Sequence, residues 1–285
     1  MPYRPRVATE GVDSASQDPL ITARLAEVLA PAPMLFDRLG VLARAAGVPG
    51  SKASEDASMP LGHHVRILAV DHLSTGLEHL VMWRRLLMSG VQPNAVHMTL
   101  VRGAMEGAVN CRWLIDPRRD DTERVRRGVA MLLDDYANRR GFEKDFGISP
   151  DAITPPAKSG ADRYTELKVE RGTAGIGRIT MPDMTTLFGG YIGLTPARGR
   201  AMYRLLSAFA HGKQWKGLTA DFEEADSAAD FPGGRVVRVT ANDDVSLAMT
   251  TLGARTAATA LDELEAYCGT TQSGQQATWS DHGKR

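Results

Sequence analysis

Cysteine is nearly absent: 285 residues contain only Cys111 and Cys268, far apart and in no metal-type spacing. No disulfide framework is expected, and a reducing compartment fits. Net charge is absent too, because Lys plus Arg and Asp plus Glu balance at 34 each. No global field therefore steers the chain toward nucleic acid or an anionic membrane, and any polyanion site has to be local. No apolar run approaches the ~20 residues that a spanning helix needs. The first residues, MPYRPRVATEGVDSASQDP, lack the apolar core of a signal peptide. A cytoplasmic protein without a membrane partner is the expectation. The glycines of RGTAGIGRITMP match neither a dinucleotide fingerprint nor a phosphate loop, and no cofactor is expected. No repeat of fixed period is visible.

What is present is helical periodicity. A hydrophobic content of 43% suffices for a substantial core. Apolar spacing and caps predict helices near 61–88, 93–115, 121–145, 196–211 and 243–268, an all-α bundle with at most a short β-hairpin near 235–241. Ahead of it, 1–18 reads as disordered, 19–47 as a short helical segment broken at Pro31 and Pro33, and 48–60 as a flexible linker. The bundle domain spans 61–268, and 269–285 reads as a disordered tail. Between its helices, 147–160 reads as a loop, a short helix lies near 162–170, and 217–230 is acidic and irregular.

Three stretches carry polar groups in suggestive places. His72 and His79 lie one heptad apart on helix 61–88, each after a carboxylate, but without the Glu-x-x-His or His-Glu-x-x-His spacing of metal sites; ordinary polar positions are the default and no metal is expected. Helix 93–115 is dominated by small and apolar residues yet bears Arg102, Glu106 and Asn110 along one edge, beside a Gly103/Gly107 edge that admits a close neighbour. Arg102 and Glu106 are either a structural ion pair or a means for Glu106 to orient Arg204 or His211 across the bundle. Arginines 118, 119, 124, 126 and 127 alternate with acids, which suits a salt-bridged face and is also the best local candidate for phosphate contact.

The stretch TPARGRAMYRLLSAFAHGKQW, 195–215, holds most of the functional argument. Thr195 and Pro196 start a helix, Gly212 stops it, and Gly199 suggests that regular helix begins only after it. Arg200, Arg204, Ser207 and His211 form one polar stripe. A guanidinium and an imidazole so placed can hold a phosphate and move a proton. The alternative is a solvated face whose His caps its own C-terminal carbonyls.

DHL at 71–73, TLVRGAMEGAVNCRWLIDP at 99–117 and YRLLSAFAHGKQW at 203–215 together resemble uncharacterised, mostly actinobacterial, all-helical proteins. These in turn look like distant members of the HEPN superfamily, helical domains of ribonuclease toxins and abortive-infection proteins. In that superfamily an Arg, four to six residues and a His form the nuclease motif, which Arg204 and His211 match with six between. The resemblance implies a HEPN-like bundle and metal-independent RNA cleavage in a homodimer. It assigns Arg204, His211 and Ser207 as catalytic residues and Arg102, Glu106, Asn110 and Tyr203 as supporting ones. RNA or a nucleotide is the implied ligand and a protein antidote the implied partner. Leu205 departs from the polar residue that active members usually carry after the Arg. The competing class is a non-catalytic helical binding or interaction module.

Overall fold

Two glycine-edged helices, pressed closer than side chains normally permit, form the centre of the molecule. In a computed structural model of the chain, the described residues are 18–45, 47–90, 95–149, 153, 157–213, 220–224 and 237–270, the last stretches including two strands known by their backbone. The centre is α4 (His63–Met88) against α5 (Val96–Leu114). A Cβ on Gly107 would come 2.3 Å from the His72 carbonyl oxygen, and one on Gly76 would come 2.9 Å from that of Ala104. His79 lies over Gly103, and Trp83 stacks on His97 at 4.9 Å, so the two helices run antiparallel.

Around this pair stand α6 (Asp121–Asp145) and α10 (Asp243–Cys268). Their ends follow local chemistry. Asp120 accepts from the Glu123 amide at 2.7 Å, Asn242 accepts from the Asp244 amide at 3.0 Å, and Gly269 ends α10 at φ 73°. Helix α10 runs parallel to α5, tied by His97–Ser246 at one end and by the two-pronged Arg112–Glu263 pair at the other. The all-α class stands. Its one sheet among the described residues is the antiparallel pair β1 (Ala220–Glu224) and β2 (Val237–Ala241). The first strand occupies part of the stretch expected to be irregular, since β2 needs a partner for its backbone groups.

Several boundaries differ from expectation for identifiable reasons. Helix α2 (Ala32–Arg44) takes in Pro33 instead of starting after it, because a first-turn proline lacks an N–H that would have had no helical partner anyway. Together with α1 (Pro19–Leu29), it shares the core with α4 and α10, and Arg38 reaches Glu265 and Asp262 on α10. The expected flexible linker contains α3 (Lys52–Ser58), capped by Ser51. Its Asp56 is wholly buried, held by both forks of Arg124 at 2.8 and 2.6 Å and by the Tyr267 hydroxyl at 2.7 Å. Burial, with Asp56 beside it, drives the Tyr267 phenol well above its usual range.

Helix α7 (Gly160–Thr173) is longer than expected. Helix α8 (Met184–Tyr191) is short and glycine-rich, and Asp183 caps it. It exists by packing on α9 (Pro196–Ala210), where a Cβ on Gly199 would lie 2.3 Å from the Phe188 carbonyl oxygen. Gly199 is therefore inside α9, for close approach, and not ahead of it. Thr195 makes no side-chain capping bond. The expected disordered termini lie outside the described residues, apart from Asp18, which caps α1, and Gly269 and Thr270, which close α10. Residues 150–152 and 154–156 of the 147–160 loop and Trp215 fall outside them as well.

Candidate functional site

Helical spacing puts Arg102, Glu106 and Asn110 on one edge of α5, a turn apart. Arg102 commits its three nitrogens in three directions. Nε donates to Glu106 Oε1 at 2.7 Å, Nη1 to His211 Nε2 at 3.2 Å, and Nη2 to the Tyr203 hydroxyl at 3.3 Å, while the guanidinium carbon sits 5.3 Å from the Tyr203 ring centroid. A guanidinium has no acceptor, so His211 Nε2 is the unprotonated nitrogen in this arrangement and Nδ1 carries the hydrogen. The imidazole thus points to α5, not back onto the carbonyls of its own helix; the turn at the end of α9 is closed by the His211 backbone N–H on the Ser207 carbonyl.

The partner of His211 is consequently Arg102 and not Arg204. Arg204 and His211 are seven positions apart, about 10 Å along a helix axis. Arg204 is exposed and makes no hydrogen bond or ion pair with a described residue, and Ser207, half-buried, makes no side-chain hydrogen bond with one. Glu106 binds Arg102 directly and touches neither Arg204 nor His211, so any orienting influence on the imidazole passes through Arg102. Leu205 is buried in the core.

Of the two readings open for the arginines after Pro117, the salt-bridged one holds. In the arginine-rich stretch after Pro117, Arg124 is locked on Asp56, while Arg118, Arg119 and Arg127 surround Asp116 and Arg126 pairs with Glu123. Burial opposes ionisation of Asp116, yet hydrogen bonds from Arg118 and the Tyr191 hydroxyl outweigh it and hold the carboxyl down at about 2. That cluster is a structural knot and not a phosphate-ready patch. Helix α9 instead has no acidic residue, and its Arg198, Arg200 and Arg204, with Lys213 just beyond, are exposed and free of ion pairs to described residues.

Behind Arg102 lies a cavity of about 310 Å³ between α4 and α5. His72, Thr75 and His79 form one wall, and Thr99, Glu106 and Asn110 the other. His79 donates Nδ1–H to the Thr75 carbonyl at 2.7 Å, and His72 places Nε2 2.9 Å from the Met131 sulfur. Burial lowers the His72 pKa, partly countered by Asp71 and Asp135. By sequence alone both histidines are ordinary polar positions. Their heptad spacing opposite Gly103 and Gly107 was the available signal that they face the same groove. Among the described residues no group of three or more His, Cys, Asp or Glu is arranged to hold a metal. Burial raises both thiols, that of Cys268 to about 11, which removes them as nucleophiles near neutral pH. No helix among the described residues is long and apolar enough to cross a membrane.

No family model, curated protein or solved structure shows a significant match to this chain.

Proposed function

We propose that the chain is a HEPN-like RNA-binding domain that cleaves its ligand without metal at Arg102, His211 and the exposed face of α9. The observation that carries this reading is the Arg102–His211 contact beside a helix bearing three exposed arginines that make no ion pair with a described residue. Together they supply a neutral imidazole, a guanidinium within reach of the same phosphate, and further cations for the flanking backbone. When Arg102 turns from the imidazole to a bound phosphate, His211 Nε2 is free to take the ribose 2′-hydroxyl proton. The 2′-oxygen bonds to phosphorus, the bond to the 5′-oxygen breaks, and the leaving oxygen takes a proton from solvent, giving a 2′,3′-cyclic phosphate and a 5′-hydroxyl. Arg102 and Arg204 offset charge on the phosphorane-like transition state, with Ser207 as a further donor. The cytoplasmic location, the homodimer and the protein antidote implied by the resemblance belong to the same proposal.

The second reading is a non-catalytic binding or interaction module, favoured by the burial of Leu205 and by the Glu106 carboxylate that already neutralises Arg102. Mixed RNA incubated in EDTA with wild type and with His211→Ala separates the two. Cyclic-phosphate ends that vanish in the variant support cleavage, retained binding without cleavage supports the module, and neither activity in wild type rejects the RNA reading and leaves the α9 stripe a solvated face.

A further inference from the structure

Arg102, the guanidinium that reaches His211, differs from the other cations of the proposed site in carrying an acid. Arg198, Arg200 and Arg204 on α9 are exposed and make no ion pair with a described residue, whereas Arg102 holds Glu106 at 2.7 Å. The pair is built unlike those that tie separate helices together. Arg124 grips both oxygens of Asp56, Arg112 both of Glu263 and Arg38 both of Glu265, each through Nε and Nη2. Arg102 gives Glu106 only Nε, on one oxygen, and turns its Nη groups to His211 and the Tyr203 hydroxyl.

Such a pair is free to open. The second oxygen of Glu106 and two of the five guanidinium N–H groups have no partner among the described residues. Both side chains line the α4–α5 cavity, Arg102 at 17% exposure and Glu106 at 29%, so the carboxylate can leave without unpacking a helix. Its charge bears directly on the site's ligand. A phosphate approaching Arg102 meets an anion already bonded to that cation, and the low-dielectric helix surface behind them strengthens the repulsion over its value in open water. Glu106 touches neither His211 nor Arg204, so Arg102 is the group through which it acts.

We propose that Glu106 is a built-in brake: its carboxylate occupies Arg102 in the unliganded protein, and the site reaches full affinity for a phosphate ester only when that carboxylate swings away. The inference concerns regulation of the Arg102–His211 site and rests on the RNA reading for the identity of the ester.

Inorganic phosphate, which has neither base nor sugar, tests the brake apart from that reading. In NMR titrations of the full wild-type chain, the Arg102 Nε–H and His211 ring signals are expected to move together, because one incoming ion takes Arg102 from both partners. Glu106→Gln, close to Glu in shape, is expected to bind phosphate roughly fivefold more tightly at low salt, a gain that shrinks as salt screens it. For a 2′-O-methyl RNA, which cannot be cut at the 2′-oxygen, its salt slope is expected to steepen by up to about 0.7, one further phosphate contact. In an Arg102→Ala background the same substitution is expected to lose its effect.

Phosphate that leaves both wild-type signals fixed overturns the proposal, and this holds even if the Gln variant fails to fold. Unchanged or weaker binding by Glu106→Gln also overturns it and makes Glu106 a structural or orienting partner. An equal gain without Arg102 overturns it as a general charge effect. RNA bound by wild type with no gain in the variant leaves the RNA reading standing and removes the brake. A gain for phosphate with no RNA binding by either protein keeps the brake and removes the RNA reading.

Discussion

Arg102 on α5 donates to His211 at the end of α9 across 3.2 Å, joining residues 109 positions apart in the chain. The contact replaces the pairing suggested by spacing along α9 alone and makes Arg102 the residue on which the imidazole depends. Arg102→Ala is expected to lower RNA cleavage by about 10²-fold, as loss of a transition-state donor does, with Arg204→Ala weakening binding more than rate. Single-turnover cleavage on saturating RNA distinguishes them, and a larger rate loss in the Arg204 variant contradicts the assignment.

Asp56 is the most exacting buried group of the N-terminal region. Replacing it by Ala leaves the Arg124 guanidinium, 3% exposed, without its counter-charge. Removal of one partner from a buried pair costs about 3–5 kcal/mol. Urea unfolding of Asp56→Ala is expected to show a loss of this size, and Tyr267→Phe a smaller one. A loss below about 1 kcal/mol, as for exposed pairs, would mean that α3 is dispensable.

Glycines provide a contrast within one fold. A Cβ at Gly107 would lie 2.3 Å from a backbone oxygen, whereas one at Gly141, in α6, meets nothing within 4 Å. Gly141→Ala is expected to stabilise the protein by about 0.5–1 kcal/mol through helix propensity. Gly107→Ala is expected to destabilise it by more than that and to disturb the cavity, because backbone cannot step aside as a side chain can. Thermal melts of the two variants test the sign of each.

Acid should destabilise the protein in two windows. Burial, then the neighbouring His63 charge, lowers the His64 pKa from 6.5 to about 4. The unfolded chain therefore binds more protons between those values, and stability falls as pH drops through them, with His72 adding to the same limb. Asp116 sits at about 2 against an ordinary 3.8, so its contribution is present above 3.8 and is lost as pH falls toward 2. Urea midpoints from pH 7 to 2 are expected to decline in both windows. His64→Gln should flatten the upper limb and Asp116→Asn the lower, and unchanged slopes would contradict the respective assignment.

Long helices were legible because they are specified locally. The apolar periodicity of His63–Met88, the acidic first turn and Asp120 cap of α6, and the Asn242 and Gly269 ends of α10 all act within a few residues. The polar edge of α5 and its small-residue edge were legible for the same reason: helical geometry alone sets which positions align.

Tertiary structure decided the rest, wherever a group is satisfied by a distant partner. Residues 48–60 have the composition of a linker, yet Asp56 is drawn inside by Arg124 and Tyr267, which no local signal announces. The α8 stretch has weak propensity and is helical because Gly199 lets α9 close on it. The alternation of arginines and acids after Pro117 suits a salt-bridged face, but which acid holds which arginine, Asp56 from α3 above all, is set by the packing. Spacing put Arg204 and His211 on one face, but whether a guanidinium reaches the imidazole depends on how closely α5 and α9 pack, a distance that helical periodicity does not contain.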